Sequence, residues 1–295
     1  MTPDPKLKKA LDQLLLKHDA QASLEQDPLQ IAHRYTEAAD QEIAAIFAAQ
    51  IAYGKVSLFL PVLHKLCAIW EAAKGPFHWV KTLRPDALEK LSEISYRWNK
   101  PQDFLLLGLT LQEALKRHAS IGALFEHHTQ EDHSDLRFCL DLSITELLHC
   151  ATLAGQKINR DWKNPKDLPA SFRRFLAQPS GGSACKRWHL LLRWMVRQSP
   201  PDLGLWNLSP AKLLMPIDVH VHRLSGFLGL LTRTAVDDKA VVELTQALQK
   251  LRPDDPVGYD FALSHLGISG ACLGHYDPKI CPKCPLYAVC IYPNQ

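Results

Sequence analysis

Residues 272–290 read CLGHYDPKICPKCPLYAVC and carry four cysteines in the spacing Cys-x8-Cys-x2-Cys-x5-Cys. These cysteines are Cys272, Cys281, Cys284 and Cys290. Four thiolates this close in sequence can converge on one metal centre, and the prolines between them favour turns over helix. Zinc sites usually join two Cys-x2-Cys pairs by a longer spacer, whereas this uneven spacing is closer to that of iron–sulfur ligands. We therefore expect a [4Fe–4S] cluster, with zinc and unligated thiols or disulfides as the alternatives.

The rest of the chain has the features of an intracellular protein. With 295 residues, of which 46% are apolar, it can bury one large core or two modest ones. Residues 1–5 lack the basic and apolar regions of a signal peptide, and we expect no apolar run long enough to span a membrane. The other four cysteines are scattered along the chain, which indicates buried thiols and not disulfides. They are Cys67, Cys139, Cys150 and Cys185. The net charge of +3 permits an anionic partner without requiring one.

Apolar side chains recur with helical spacing along nearly the whole chain. One such stripe follows Asp40, which could cap its helix, and another follows Asp103. Two more cover residues 140–148 and 241–251. No strand-like alternation is sustained, and there is no glycine-rich phosphate loop. The sequence therefore predicts an all-α fold.

The segment 178–187, QPSGGSACKR, places two glycines just before a helical stretch. Such a pair predicts a tight turn whose backbone N–H groups point at the helix start, which suits a DNA phosphate. Three cations of the following helix fall within roughly 40° of one another at 100° per residue. They are Lys186, Arg193 and Arg197. This spacing predicts a helix with one basic face, which could contact DNA. The simpler interpretation is that this face is polar because it is in contact with solvent.

Asp218 follows Pro216 and precedes apolar residues at helical spacing, so we expect it near a helix N-terminus. There it could simply cap the helix, or its carboxylate could stabilise a developing positive charge. The pattern Asp-x-His-x-His also permits a metal-dependent hydrolase, in which His220 and His222 would lie on one side of a strand. That alternative needs strands, which the sequence does not predict.

These three segments, in this order, resemble the helix-hairpin-helix DNA glycosylase superfamily, and within it the endonuclease III-like enzymes with a C-terminal iron–sulfur loop. The likeness is most specific in residues 261–267 and the cysteine loop after them. Residues 46–50, IFAAQ, are similar to a helix of those enzymes that ends in Ala-Gln. The chain also resembles a bacterial family with the same arrangement, whose activity we do not assume.

The resemblance implies a two-lobed fold and roles for individual residues. Residues 40–214 would form a helical bundle with the hairpin element, and residues 1–39 with 215–295 a second lobe that carries the iron–sulfur loop. Lys186 takes the place of the Schiff-base lysine, Asp218 that of the catalytic aspartate, and Gln50 that of a residue filling the gap left by a flipped nucleotide. The remaining expected DNA contacts are Gly181, Gly182, Ser183, Arg187, Arg193, Arg197, Lys279 and Lys283.

The chain also departs from the pattern of those enzymes. Ala184 replaces one expected glycine of the hairpin, and the 32 positions between Lys186 and Asp218 are more than in endonuclease III. The x8 arm of the cysteine motif is longer than usual, and residues 75–165, roughly, have no counterpart.

The activity implied is excision of a damaged base, with oxidised bases as candidates, from double-stranded DNA by a cytoplasmic, nucleoid-associated monomer. The base is extruded into a pocket, Asp218 stabilises the charge that develops at C1′, and Lys186 forms a Schiff base that permits β-elimination. Four aromatic residues could stack on the base, although core packing is the simpler role for the tryptophans: Tyr53, Trp188, Trp194 and Trp206. The first alternative is a non-catalytic iron–sulfur DNA-binding or damage-sensing protein. The metal-dependent hydrolase ranks below it.

Overall fold

The computed structural model describes residues 4–17 and 19–291. Within these residues every regular element is a helix and no β-strand forms, so the prediction of an all-α fold is confirmed. The α-helices are α1 (Pro5–Lys17), α2 (Ala20–Leu24), α3 (Ala38–Ile51), α4 (Val56–Ala72), α5 (Pro76–Thr82), α6 (Pro101–Ala114), α7 (Ile121–His127), α8 (Arg137–Lys157), α9 (Ala170–Arg173), α10 (Lys186–Val196), α11 (Val219–Phe227), α12 (Asp238–Gln249) and α13 (Asp260–Ile268).

Short 3₁₀ helices connect the α-helices, and most of them begin with proline, whose fixed φ suits a helix start and whose missing N–H needs no partner there. They are Pro28–Arg34, Pro85–Leu88, Pro165–Asp167, Pro179–Gly181, Pro210–Lys212, Cys281–Lys283 and Tyr287–Val289. Residues 1–3 and 292–295 lie outside the described residues. The prediction of no signal peptide rests on residues 1–5 and therefore lies partly outside them as well.

Helix α3 is the centre of the fold. Every residue from Glu42 to Ile51 is buried, and the many alanines allow close approach of α10, α5 and the 3₁₀ helix Pro28–Arg34. The prediction that Asp40 caps α3 is wrong, because Glu37 occupies the cap position. Asp40 lies in the first turn and accepts a hydrogen bond from the Phe77 N–H at 2.8 Å, so it ties α3 to the start of α5.

Helices α6 and α8 form the most extensive helix pair and lie in the part of the chain without a counterpart in the glycosylases. By length and composition α8 could cross a membrane, as could α4 and α5 together if they made one span bent by 70°. The expectation that no stretch is long and apolar enough is therefore wrong. However, 61% of the most apolar stretch of α8 is buried against other parts of the protein, as in a core helix. The absence of a membrane partner stays a prediction.

The buried apolar side chains form one contiguous cluster that extends from Leu7 to Leu286. The C-terminal helix α13 packs on α11 and α2, and α1 contacts the 3₁₀ helix Tyr287–Val289. The N-terminal helices therefore lie beside the C-terminal segment, whereas the 3₁₀ helix Pro28–Arg34 packs on α3 and α4. The division into lobes 40–214 and 1–39 plus 215–295 stays a prediction.

Candidate functional site

Lys186 and Asp218 line the same cavity, although 32 positions separate them in the sequence. The cavity has a volume of about 570 Å³. Its walls come from residues 26–28, the end of α3 and the start of α4, one face of α10, the start of α11 and one face of α13. Several ionisable side chains line it: Asp27, Lys186, Arg193, Asp218, His220 and Asp260. The arrangement brings an amine and carboxylates together in one partly enclosed space.

Lys186 is the first residue of α10 and is partly buried. The helix starts abruptly because Cys185 adopts a left-handed conformation, with φ of +42°. The Lys186 Nζ donates a hydrogen bond to the carbonyl oxygen of Ala52 at 3.1 Å, at the end of α3. The amine is therefore held over the cavity by the backbone of the central helix.

Asp218 is the N-cap of α11, so the predicted position at a helix N-terminus is confirmed. Its Oδ1 accepts hydrogen bonds from the N–H groups of His220 at 2.9 Å and Val221 at 2.8 Å. These donors and the positive end of the helix dipole stabilise its negative charge. No hydrogen bond to Oδ2 is found among the described residues, which leaves this oxygen for another partner.

Asp260, at the start of α13, also lines the cavity, and no sequence motif predicts that it belongs there. Only 2% of it is exposed, and its Oδ2 accepts a hydrogen bond from Arg193 Nη1 at 2.5 Å. Burial raises the pKa of Asp260 to about 6, and the charge of Asp218 acts in the same direction, against Arg193 and Lys186. From the sequence alone, Asp260 cannot be distinguished from an acidic residue that only interacts with the dipole of its helix.

The predicted basic face of α10 is wrong for Arg193 and Arg197. All residues of α10 from Trp188 onward are buried, and both arginines are enclosed by carboxylates. Arg193 pairs with Asp260 and with Asp202, and Arg197 forms two hydrogen bonds of 2.9 Å to Asp255 as well as one to Asp202. Buried guanidinium groups require such partners, so these two side chains are not available to DNA.

Gln50 is also not on a DNA-binding surface. It is fully buried in α3, and its side-chain amide has no hydrogen-bond partner among the described residues. Only its backbone reaches the neighbouring site, because Arg187 Nη1 donates to its carbonyl oxygen at 2.6 Å. The burial of Gln50 argues against its filling the gap left by a flipped base, and that role stays a prediction. Arg187 itself is half-buried, and burial lowers its pKa to about 10.

The predicted tight turn before α10 does form. Gly182 has φ of +77°, and both Gly181 and Gly182 are exposed with open space around them. However, the protein itself satisfies most N–H groups of the turn. Ser180 donates to Asp141 Oδ1 at 3.0 Å, Gly181 and Gly182 donate to carbonyl oxygens within the turn, and Cys185 donates to Ser183 Oγ. A phosphate contact at Gly181, Gly182 and Ser183 stays a prediction, with the free N–H groups of the first turn of α10 as the remaining donors.

The four C-terminal cysteines line one small pocket together with apolar side chains of α11 and of the cysteine loop. No disulfide forms among the described residues, and Cys67, Cys139, Cys150 and Cys185 are buried as expected. The Asp277 N–H donates to Cys281 Sγ at 3.3 Å, and burial raises the pKa of the Cys284 thiol. Lys279 and Lys283 are exposed on this loop.

The donor set of this pocket fits a metal–sulfide cluster. Among the described residues no three His, Cys, Asp or Glu side chains are placed to hold a single metal ion, although the four thiols face one pocket. A zinc ion at about 2.3 Å from each sulfur would need the thiols close to one another. Zinc and a cluster of several iron and sulfide atoms both take thiolate ligands, so the choice between them stays a prediction.

His220 and His222 are not arranged as the hydrolase alternative requires. Both lie on helix α11, two positions apart, so they point to different sides of it. His220 lines the cavity, whereas His222 Nε2 is hydrogen-bonded to the carbonyl oxygen of Arg233 at 3.0 Å.

Residues 27–269 match the family described as a protein of unknown function, DUF2400. The chain belongs to this DUF2400 family. The matched part of the DUF2400 protein includes Lys186, Asp218 and Asp260 and ends just before Cys272, so the cysteine loop lies outside it. No curated protein and no solved structure matches the chain.

The aromatic residues of the DUF2400 protein separate into two groups. Trp188, Trp194 and Trp206 are buried in the core, as the simpler interpretation predicts. Tyr53 is half-buried and lines the cavity, and an exposed tryptophan that the sequence did not single out, Trp98, stacks on it.

Proposed function

We propose that this DUF2400 protein is a DNA glycosylase with AP-lyase activity, which removes a damaged base and acts through Lys186. The observation that carries the proposal is the single cavity lined by Lys186 and Asp218. An amine that can attack carbon and a carboxylate that can stabilise positive charge are the two groups such an enzyme needs. The resemblance to the helix-hairpin-helix glycosylases, in which these two residues take the catalytic positions, supports the same function.

In the proposed reaction the damaged nucleotide leaves the duplex and its base enters the cavity. Extrusion costs a few kcal/mol, and less for a damaged or mispaired base. When the N-glycosidic bond breaks, its electron pair leaves with the base, which takes up a proton. Positive charge then develops at C1′ of the sugar, and the carboxylate of Asp218 stabilises it.

Lys186 acts next as the nucleophile. Its neutral amine gives a lone pair to C1′ and loses one proton. The C1′–O4′ bond then breaks, O4′ takes up a proton, and a protonated Schiff base remains between Lys186 and the opened sugar. The Schiff base acidifies a proton on C2′, and loss of that proton breaks the C3′–O bond and releases the 3′ phosphate. Asp260 lies in the same cavity, and because burial raises its pKa to about 6 it can exchange protons near neutral pH.

The cysteine loop has a structural part in this proposal. Cys272, Cys281, Cys284 and Cys290 would hold a [4Fe–4S] cluster, which supplies a cross-link within the loop. Lys279 and Lys283 are exposed beside these cysteines and would face the phosphate backbone of double-stranded DNA. We retain from the sequence the expectation of a cytoplasmic, nucleoid-associated monomer.

A second candidate is a DNA-binding or damage-sensing protein without catalysis. The turn before α10 favours it, because its N–H groups are already bonded within the protein and Ala184 stands where a glycine is expected. The two candidates differ in whether Lys186 becomes covalently attached to DNA.

Borohydride trapping tests the proposal. Iron-containing protein is mixed with duplexes that carry an abasic site, 8-oxoguanine or an oxidised pyrimidine, and a reduced Schiff base appears as a protein–DNA adduct. We expect an adduct that Lys186→Gln abolishes and that Lys65→Gln, a change at an exposed lysine of α4, preserves. If protein that binds DNA and holds its iron gives no adduct with any duplex, a glycosylase without lyase activity or the non-catalytic candidate replaces the proposed enzyme.

A further inference from the structure

An exposed group of aromatic and arginine side chains lies beside the cavity. We call it the aromatic–arginine patch and define it as Tyr53, Arg97, Trp98 and Arg174. The rings of Tyr53 and Trp98 are nearly parallel, with 9° between their planes and 5.4 Å between their centroids. The guanidinium of Arg174 lies 4.8 Å from the centroid of Trp98. Trp98 is nevertheless 53% exposed, so part of a large aromatic ring faces solvent.

The backbone holds this patch in place. Tyr96 and Asn99 exchange two backbone hydrogen bonds of 2.9 Å, which makes a tight turn with Arg97 and Trp98 at its tip. Arg97 has φ of +50°, a left-handed conformation that is unfavourable for a residue with a side chain. The Tyr53 hydroxyl donates to Asn99 Oδ1 at 2.7 Å, so the turn is fastened to the residue that lines the cavity.

The patch carries positive charge without nearby carboxylates. Among the described residues neither Arg97 nor Arg174 forms an ion pair within 4.0 Å, and neither does the adjacent Arg187, whose guanidinium lies 5.4 Å from the Tyr53 centroid. Arg193 and Arg197 differ from these arginines, because acidic side chains form ion pairs with both. Arg97 also packs directly over Gly54 at the cavity wall, where a Cβ would lie 2.8 Å from its guanidinium carbon.

We propose that a DNA strand crosses the aromatic–arginine patch where its nucleotide enters the cavity, with an unpaired base displacing the exposed Arg174 from the Trp98 ring to stack there and the arginines on phosphates. Unpaired bases stack on aromatic side chains of nucleic-acid-binding proteins, and arginines beside such rings contact the backbone. A protein partner would have to supply carboxylates for these arginines. A nucleic acid supplies both kinds of group that the patch can bind, phosphates for the arginines and flat bases for the aromatic ring. The inference rests on the proposed function for the kind of partner, and it adds the surface that positions the strand.

The patch is tested with full-length, iron-containing protein and two labelled duplexes, one fully paired and one with a single unpaired 2-aminopurine. We expect Trp98→Ala to weaken binding of the duplex with the unpaired base by about 5- to 100-fold, and of the paired duplex much less. Trp98→Phe should restore most of the affinity, because it keeps a ring. The control is Leu16→Ala, which removes an exposed apolar side chain from α1 and should change neither affinity.

Two further readouts separate stacking from general charge. Bound protein should quench the 2-aminopurine fluorescence, and Trp98→Ala should remove this quenching. Arg174→Gln should lower the slope of log affinity against log salt by about 1. Equal affinities of wild type and Trp98→Ala for the unpaired duplex, or equal weakening on both duplexes, would overturn the proposal, as would wild-type protein that binds neither duplex.

The outcome is independent of the Schiff base. If Trp98 is needed for the unpaired base while Lys186 forms no adduct, the proposed activity is lost and the patch remains. If Lys186 forms its adduct while Trp98→Ala behaves as wild type, the activity remains and the patch is wrong. Melting temperatures of the Trp98 variants show that a change in affinity does not come from unfolding.

Discussion

Asp218 illustrates how one carboxylate can have a structural role and a proposed chemical role. Its Oδ1 caps α11, while Oδ2 accepts no hydrogen bond among the described residues. Asn caps helices about as well as Asp, so Asp218→Asn should change the free energy of unfolding by less than about 0.5 kcal/mol, whereas Asp218→Ala should cost about 1 kcal/mol. If the charge acts on the substrate, Asp218→Asn should still lower the single-turnover excision rate by about 100-fold or more.

Chemical denaturation and excision assays on the same variants separate these roles of Asp218. The asparagine variant is its own stability control, because it keeps the cap and loses only the charge. Full excision activity in Asp218→Asn would mean that this residue is a cap and nothing more.

Arg193 is expected to matter for stability and not for DNA binding. It is buried between Asp202 and Asp260, so Arg193→Ala leaves two buried carboxylates without their main counter-charge. Breaking a buried pair in this way costs about 3–5 kcal/mol. Arg84→Ala, at an exposed position, should change the free energy of unfolding by less than about 0.5 kcal/mol. Urea denaturation measures both, and a loss at Arg193 as small as at Arg84 would contradict the buried network.

The two catalytic candidates could be located from the sequence, but the burial of their neighbours could not. Lys186 and Asp218 belong to local patterns, a glycine turn and a helix cap, and local patterns are legible in one sequence. A helical wheel gives the direction of Arg193 and Arg197 but not the depth of their helix in the protein. Their partners Asp202, Asp255 and Asp260 come from other segments, and only the folded chain brings them together.

At the scale of secondary-structure elements, α10 shows why charge patterning can mislead. A helix with cations on one side and apolar residues on the other is normally at a surface. Here α10 packs on the central helix α3, and Arg193 on its other side is covered as well. The existence of α10 and its start near Lys186 followed from the sequence. Its burial from Trp188 onward did not, because that depends on which acidic residues cover the polar side.

The burial of α10 also predicts an acid-sensitive step in stability. His189 is fully enclosed, its ring nitrogens have no hydrogen-bond partner among the described residues, and burial lowers its pKa to about 4. An unfolded histidine titrates near 6.5, so between about pH 6.5 and 4 the unfolded chain binds a proton that the folded chain does not. The stabilisation is complete above pH 6.5 and is lost as the pH falls, by about 3 kcal/mol at the lower limit.

His189→Leu removes this titration. The free energy of unfolding of His189→Leu, relative to the native protein at the same pH, should therefore rise steadily as the pH is lowered from about 6.5 to 4. Denaturant titrations at several pH values give this difference. Comparing the two proteins at each pH removes the contributions of Asp260 and other groups that both share. A difference that is constant over this range would show that His189 is not held neutral by burial.

At the scale of the whole molecule, two helices join the cavity to the cysteine loop. Helix α11 begins at the cap Asp218 and ends with Leu224 and Phe227 in the wall of the cysteine pocket. Helix α13 begins with Asp260 in the cavity and ends shortly before Cys272. Asp218 and the cysteine pocket therefore lie at opposite ends of α11, while α13 lines the cavity from Asp260 to Ile268.

This arrangement predicts what the loss of the metal centre does. A cluster held by four thiolates restricts the unfolded chain as a covalent cross-link does, so Cys284→Ala should lower the free energy of unfolding by about 2–4 kcal/mol. It should also lower the excision rate, because the loop braces the far end of α11. Cys67→Ser, at a cysteine outside the loop, should leave the metal content unchanged.

Iron and acid-labile sulfide in the purified protein decide what the loop holds. We expect both in similar amounts in the native protein and in Cys67→Ser, together with a brown colour, and neither in Cys284→Ala. Zinc in place of iron would select the alternative occupant and remove the cluster from the proposal. The cavity at the other end of α11 would still contain Lys186 and Asp218, because its walls are built from α3, α10, α11 and α13 rather than from the loop. A zinc-containing protein that still forms the Lys186 adduct would therefore show that the metal centre supports the fold and that the chemistry belongs to the cavity.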